Sequence, residues 1–132
     1  MALTSAQRNT LVALWAATAV AIAGRTVALR WHATHDEFET GSDQFQAHWL
    51  AWLGTAALMT VAAVALRRRV SPPVGLQLIV GGGVGYAMVA TWHFWLHSQH
   101  RDPDLPHMLL AVSQLVLAAG LVAFTVRAWR TT

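Results

Sequence analysis

Residues 74–96 read VGLQLIVGGGVGYAMVATWHFWL, and no charged side chain interrupts them. At 1.5 Å per residue an α-helix of this length reaches about 34 Å. That exceeds the roughly 30 Å of hydrocarbon in a bilayer, so the run reads as a membrane span. Three more runs have the same character: 11–29, broken only by Arg25, then 47–66 and 108–126. Each is apolar all round rather than striped. This suits a helix in lipid, where every backbone group must be paired within the segment itself. The expected fold is an all-α integral membrane protein, with residues 1–132 forming one domain of four transmembrane helices in an up-down bundle.

The composition agrees. Hydrophobic residues make up 55% of the chain and charged residues 11%, against about 25% charged in soluble domains. Nine arginines and no lysine supply the positive charge, giving a pI near 11.1. They form no run of five like charges, so a nucleic-acid partner is not expected. The absence of cysteine excludes disulfides, thiolate metal sites, iron–sulfur clusters and thiol catalysis. An alanine- and arginine-rich, lysine-free chain suits a high-GC bacterium, hence a bacterial inner membrane. Arg8, the apolar run after it and Ala21-Ile22-Ala23 before Gly24 imitate a secretory leader with its small-residue cleavage site. The run is read here as the first helix.

Orientation follows from the arginines, which gather on the cytoplasmic side of short-looped membrane proteins. Arg8, Arg67, Arg68, Arg69, Arg127 and Arg130 share one side under this threading. All six acids fall in the other two loops, at about 30–46 and 97–107. Both termini are therefore expected inside. Trp31, Trp49, Trp52, Trp92 and Trp95 gather near the outer ends, as an aromatic belt does.

All seven histidines also fall at that outer end. His93, His97 and His100 are spaced i, i+4, i+7 and share one stripe if the third helix continues that far. Histidines at i, i+4 can hold one metal ion. The first outer loop carries His32-x2-His35-Asp36-x2-Glu39, while His48 and His107 sit at the same depth on the remaining helices. Nitrogen and carboxylate ligands without sulfur suit zinc, copper(II) or non-haem iron, and helical bundles build such sites from facing helices. The expected metal ligands are drawn from His32, His35, Asp36, Glu39, His48, His93, His97, His100 and His107. His93 and His97 should matter most to occupancy and His32 less.

A b-type haem is the second form of this idea. It needs two histidines from different helices. His48 with His93 is the expected pair, and Arg25 and Arg30 are placed to meet the propionates. Arg25 is the only charge well inside a span, which makes it a functional candidate, although a long side chain can also snorkel outward. Interfacial histidines also need no cofactor, since imidazole sits comfortably beside tryptophan at a membrane surface.

Gly81-x3-Gly85 has the small-x3-small spacing that lets helices approach closely, within the bundle or toward another subunit or a second copy of the chain. Ser113 and Gln114 are read as polar contacts between helices. No nucleophile motif specifies a reaction. No ionisable residue at mid-membrane, beyond Arg25, suggests transport. Two readings remain: a metal- or haem-binding membrane protein in electron transfer or metal handling, and an accessory subunit of a larger membrane complex with no cofactor of its own.

Overall fold

A computed structural model describes residues 3–31, 43–100, 102 and 104–131. Within these residues the chain is four helices: α1 (Ser5–Trp31), α2 (Asp43–Arg67), α3 (Pro72–His100) and α4 (Leu105–Thr131). Each contains a segment long and apolar enough to cross a membrane, the shortest being the 19 residues Trp49–Arg67. The four make a helical bundle and identify a multi-pass membrane protein.

The helices outrun the apolar segments because local chemistry sets their ends. Thr4 and Gln7 begin α1 as a reciprocal cap: the Gln7 N–H donates to Thr4 Oγ1 at 3.2 Å, and the Thr4 N–H to Gln7 Oε1 at 3.0 Å. Ser71 precedes Pro72 and Pro73, whose missing N–H groups cost nothing in a first turn. The stretch 97–107, expected as a loop, is mostly helical. α3 runs on to His100, and Asp104 starts α4 by accepting the His107 N–H on Oδ1 at 2.9 Å.

The turn after α2 closes as a Schellman motif. The Val70 N–H reaches the Ala65 carbonyl at 3.1 Å and Arg69 adopts φ 55°. Glycine takes that left-handed position without the clash an arginine Cβ makes. Arg69→Gly is therefore expected to stabilise the protein by about 0.5–1 kcal/mol, read as a higher unfolding midpoint in detergent.

Because every helix is apolar all round, the buried faces emerge only from packing. Leu11, Trp15, Ala19, Ile22 and Thr26 of α1 face inward. So do Trp52, Ala56, Met59, Ala63 and Leu66 of α2, and Ile79, Tyr86 and Ala90 of α3; Gln114, Ala118, Leu121, Thr125 and Ala128 do so from α4. The spacing is three or four residues, with the buried Gly82 and Gly83 filling the gap between Ile79 and Tyr86, as a seam between helices requires. Alanines and glycines along it permit close approach. Gly75 packs tightly on Trp129, and within 81–85 Gly82 and Gly83 make the tight contacts and Gly81 does not. A Cβ on Gly83 would overlap Val122, and one on Gly82 would lie 3.2 Å from the Trp15 ring. Gly81 faces open space, and Gly85 would only touch Leu58 at 3.5 Å.

α1 packs closely on α2, α2 on α3 and α3 on α4, but α1 meets α4 only sparsely. Their firm tie is Trp15, fully buried, whose indole N–H donates to Thr125 Oγ1 at 3.0 Å. Nearer the histidine end a cleft opens between α1 and α4, with walls from Ile22 and Arg25 on one side and Leu110 and Gln114 on the other.

Candidate functional site

A column of rings runs from the middle of the bundle to its histidine end. Tyr86 of α3 meets Trp52 of α2 edge to face, with centroids 6.0 Å apart. Trp52 meets His93 in the same way at 5.7 Å, and its indole N–H points at His93 Nδ1 over 3.4 Å. His93 lies 4.4 Å from His97, one turn along α3. His97 stacks on His107 of α4 at 5.5 Å with the planes 30° apart. His107 Nδ1 closes the column on Asp104 Oδ1 at 2.7 Å.

The local sequence explains this arrangement. Helical spacing puts His93 and His97 on one face. Asp104, as the α4 cap, fixes where the last helix begins, and Pro106 fits its first turn. His107 is then in the opening turn of α4, beside the closing turns of α3. One carboxylate oxygen both caps α4 and holds the His107 ring. Asp104→Ala is expected to destabilise the protein by about 1 kcal/mol through the lost cap. Asp104→Asn, a good cap without a charge, should retain most of that stability in the same unfolding assay.

The contacts also bear on protonation. A carboxylate can only accept, so His107 Nδ1 donates to Asp104 and Nε2 carries the lone pair in the neutral ring. This carboxylate–histidine arrangement is the one that orients metal-binding imidazoles. At His93 the Trp52 N–H makes Nδ1 the acceptor. The neutral ring then carries its proton on Nε2, and coordination through Nδ1 requires displacing the indole.

Of the sequence-derived ligands, His93, His97 and His107 are brought together. Among the described residues, no three His, Asp or Glu side chains already converge as a metal-ligand set. The rings of the column are tilted or stacked, not aimed at one point. His48 and His100 lie on α2 and α3, but their side chains, like that of Arg30 on α1, are outside the described part. His32, His35, Asp36 and Glu39 lie outside the described residues altogether.

Beside the column lies the cleft, with a volume of about 500 Å³. His93 and Arg25, both named as haem-binding candidates, line it together, with Trp49, Trp52, Tyr86 and Gln114. It reaches Ala17 and Leu117, deeper into the bundle than the histidine end itself. The roles of Tyr86, Trp52 and Gln114 are not evident from spacing. The one signal was that Tyr86, the chain's only tyrosine, places a hydroxyl inside an otherwise apolar run.

No protein-family model, curated protein or solved structure matches this chain.

Proposed function

We propose that this chain is a bacterial inner-membrane protein, oriented with both termini in the cytoplasm and the histidine end outside, that binds a transition-metal centre there for electron transfer or metal handling. One observation carries the reading: His93, His97 and His107, from two helices, form a contiguous column with centroid spacings of 4.4 and 5.5 Å. Two imidazoles sharing a tetrahedral ion at about 2.0–2.1 Å from nitrogen have centroids about 5 Å apart. Rotation of the rings would therefore bring nitrogens to a common ion with little movement of the helices. Sulfur-free ligands favour zinc, copper(II) or iron. His32, His35, His48, His100, Asp36 and Glu39 are the further donors this reading allows.

Haem iron is the alternative form of the centre. His93 and Arg25 lining one cleft favours it, with His48, four residues before Trp52, as the second axial ligand and Arg30 as a further propionate partner. The accessory-subunit reading draws on Gly81, which faces open space beside the exposed Val80 and Val84 and would admit a partner helix or second copy.

Titration of detergent-purified, chelator-stripped protein with copper(II), zinc(II) and haemin, followed by visible spectroscopy and competition with a chromophoric chelator, tests the reading. Saturation near one equivalent is expected, with release on acidification, because imidazole binds metal only when neutral. Failure of all three to bind refutes it. The cysteine-free chain also allows a clean test of orientation. Gln99→Cys in intact cells should react with a membrane-impermeant maleimide, and Ser71→Cys should react only after lysis.

A further inference from the structure

The cleft between α1 and α4 poses a problem that the histidine column does not solve. In a bilayer every buried polar group needs a partner within the protein or a ligand, because lipid supplies none. The hydroxyls around the cleft obey this rule. Thr18, Thr26 and Ser113 donate to the carbonyls of Leu14, Ile22 and Leu110 at 2.8, 2.7 and 2.8 Å. Gln114 and Tyr86 do not. They are 8% and 4% exposed, line the cleft, and have no hydrogen-bond partner among the described residues. Arg25, on the opposite wall, is exposed rather than buried and pairs with no acid among them.

The unmet chemistry is specific. A phenol, an amide and a guanidinium all offer hydrogen to an acceptor, and among the described residues no acid lines the cleft. The donors come from three helices, Gln114 from α4, Arg25 from α1 and Tyr86 from α3, and all three line the one cleft. Trp49, Trp52 and His93 add flat surfaces, and Ala17, Ala21, Ile22, Leu110 and Leu117 supply apolar walls. Ala17 and Ala21 of α1 and Ser113 and Leu117 of α4, all lining the cleft, are exposed along the seam where these helices barely touch, so a molecule dissolved in the bilayer can enter between them. An anionic lipid would satisfy Arg25 and leave the deeper amide and phenol unpaired. A planar ring with carbonyl oxygens on opposite edges reaches both walls, and an isoprenoid chain can leave through the seam.

We infer that this cleft binds a prenylated quinone, with one carbonyl accepting from Gln114 and Tyr86, the other from Arg25, and the ring seated against Trp49 and Trp52. Binding does not depend on a metal at the histidine column.

The test uses the full chain in phosphatidylcholine nanodiscs, titrated with decylubiquinone while tryptophan fluorescence is followed. A saturable component is expected above the linear quenching due to quinone partitioning. Gln114→Leu should weaken it by about tenfold, the loss of one well-placed hydrogen bond, and Tyr86→Phe should weaken it as well. Gln114→Leu also removes a buried amide that has no hydrogen-bond partner among the described residues, so its unfolding midpoint without ligand should equal or exceed that of the wild type. Weaker binding by a protein at least as stable is an outcome that misfolding cannot produce. Should Gln114→Leu fail to fold, Tyr86→Phe, which deletes one oxygen, carries the comparison. Quenching that never saturates, or affinity unchanged in both variants, overturns the inference. Displacement of the quinone by lower concentrations of oleate or haemin also overturns it, assigning the cleft to a carboxylate lipid or a porphyrin. Metal titration of the same Gln114→Leu protein keeps this result separate from that for the histidine column.

Discussion

Trp15→Ala is expected to destabilise the bundle by about 3–5 kcal/mol, the range for truncating a fully buried tryptophan. This side chain joins three helices. Its ring fills the space that Gly82 leaves on α3, and its indole N–H holds Thr125 of α4 at 3.0 Å. Elsewhere α1 and α4 are nearly independent, so removing the ring opens a cavity and also unfastens the closure of the bundle. Thr125→Val isolates the hydrogen bond. It should cost only about 0.6–1 kcal/mol, as interhelical bonds in membranes do, because the remaining packing is kept. Unfolding in mixed detergent–SDS micelles measures both. Equal losses in the two variants would show that the hydrogen bond, not ring packing, closes the bundle.

His97→Ala should produce the largest functional loss, a fall in metal affinity of more than about 100-fold. His97 is the ring between His93 and His107, so its removal separates the other two. Replacing a group that only orients a ligand costs about 10- to 100-fold, and that smaller effect is expected of Asp104→Asn, which leaves all three imidazoles in place. His93→Ala should resemble His97→Ala in metal titrations. If Asp104→Asn proves worse than His97→Ala, the site is centred on the α4 cap rather than on the column.

Much of the architecture can be read directly from residue order. Uncharged runs such as 74–96 read as long helices, and with α3 ending at His100 and α4 starting at Leu105 His107 stands beside His97. The reach of the helices was less legible. Their ends depend on single caps such as Asp104 and Thr4, not on hydropathy. The choice of inward face was not legible at all. In a helix apolar all round, periodicity does not distinguish Gly82 and Gly83, which make the contacts, from Gly81, which faces outward. The cleft was hidden for the same reason, since it exists only because α1 and α4 close around Trp15 and part beyond it. Gln114 read as a contact between helices; it also lines the cleft, with no hydrogen-bond partner among the described residues. Arg25 read as the lone charge of its span, and only packing puts it across from Gln114.

The most direct measurement is elemental analysis by mass spectrometry of the protein as purified in detergent, normalised to protein, beside the His93→Ala/His97→Ala/His107→Ala variant. A metal-binding column predicts near-stoichiometric iron, copper or zinc in the wild-type chain and background levels in the variant. Equal metal content in the two proteins, or none in either, would contradict it and return these histidines to the membrane interface.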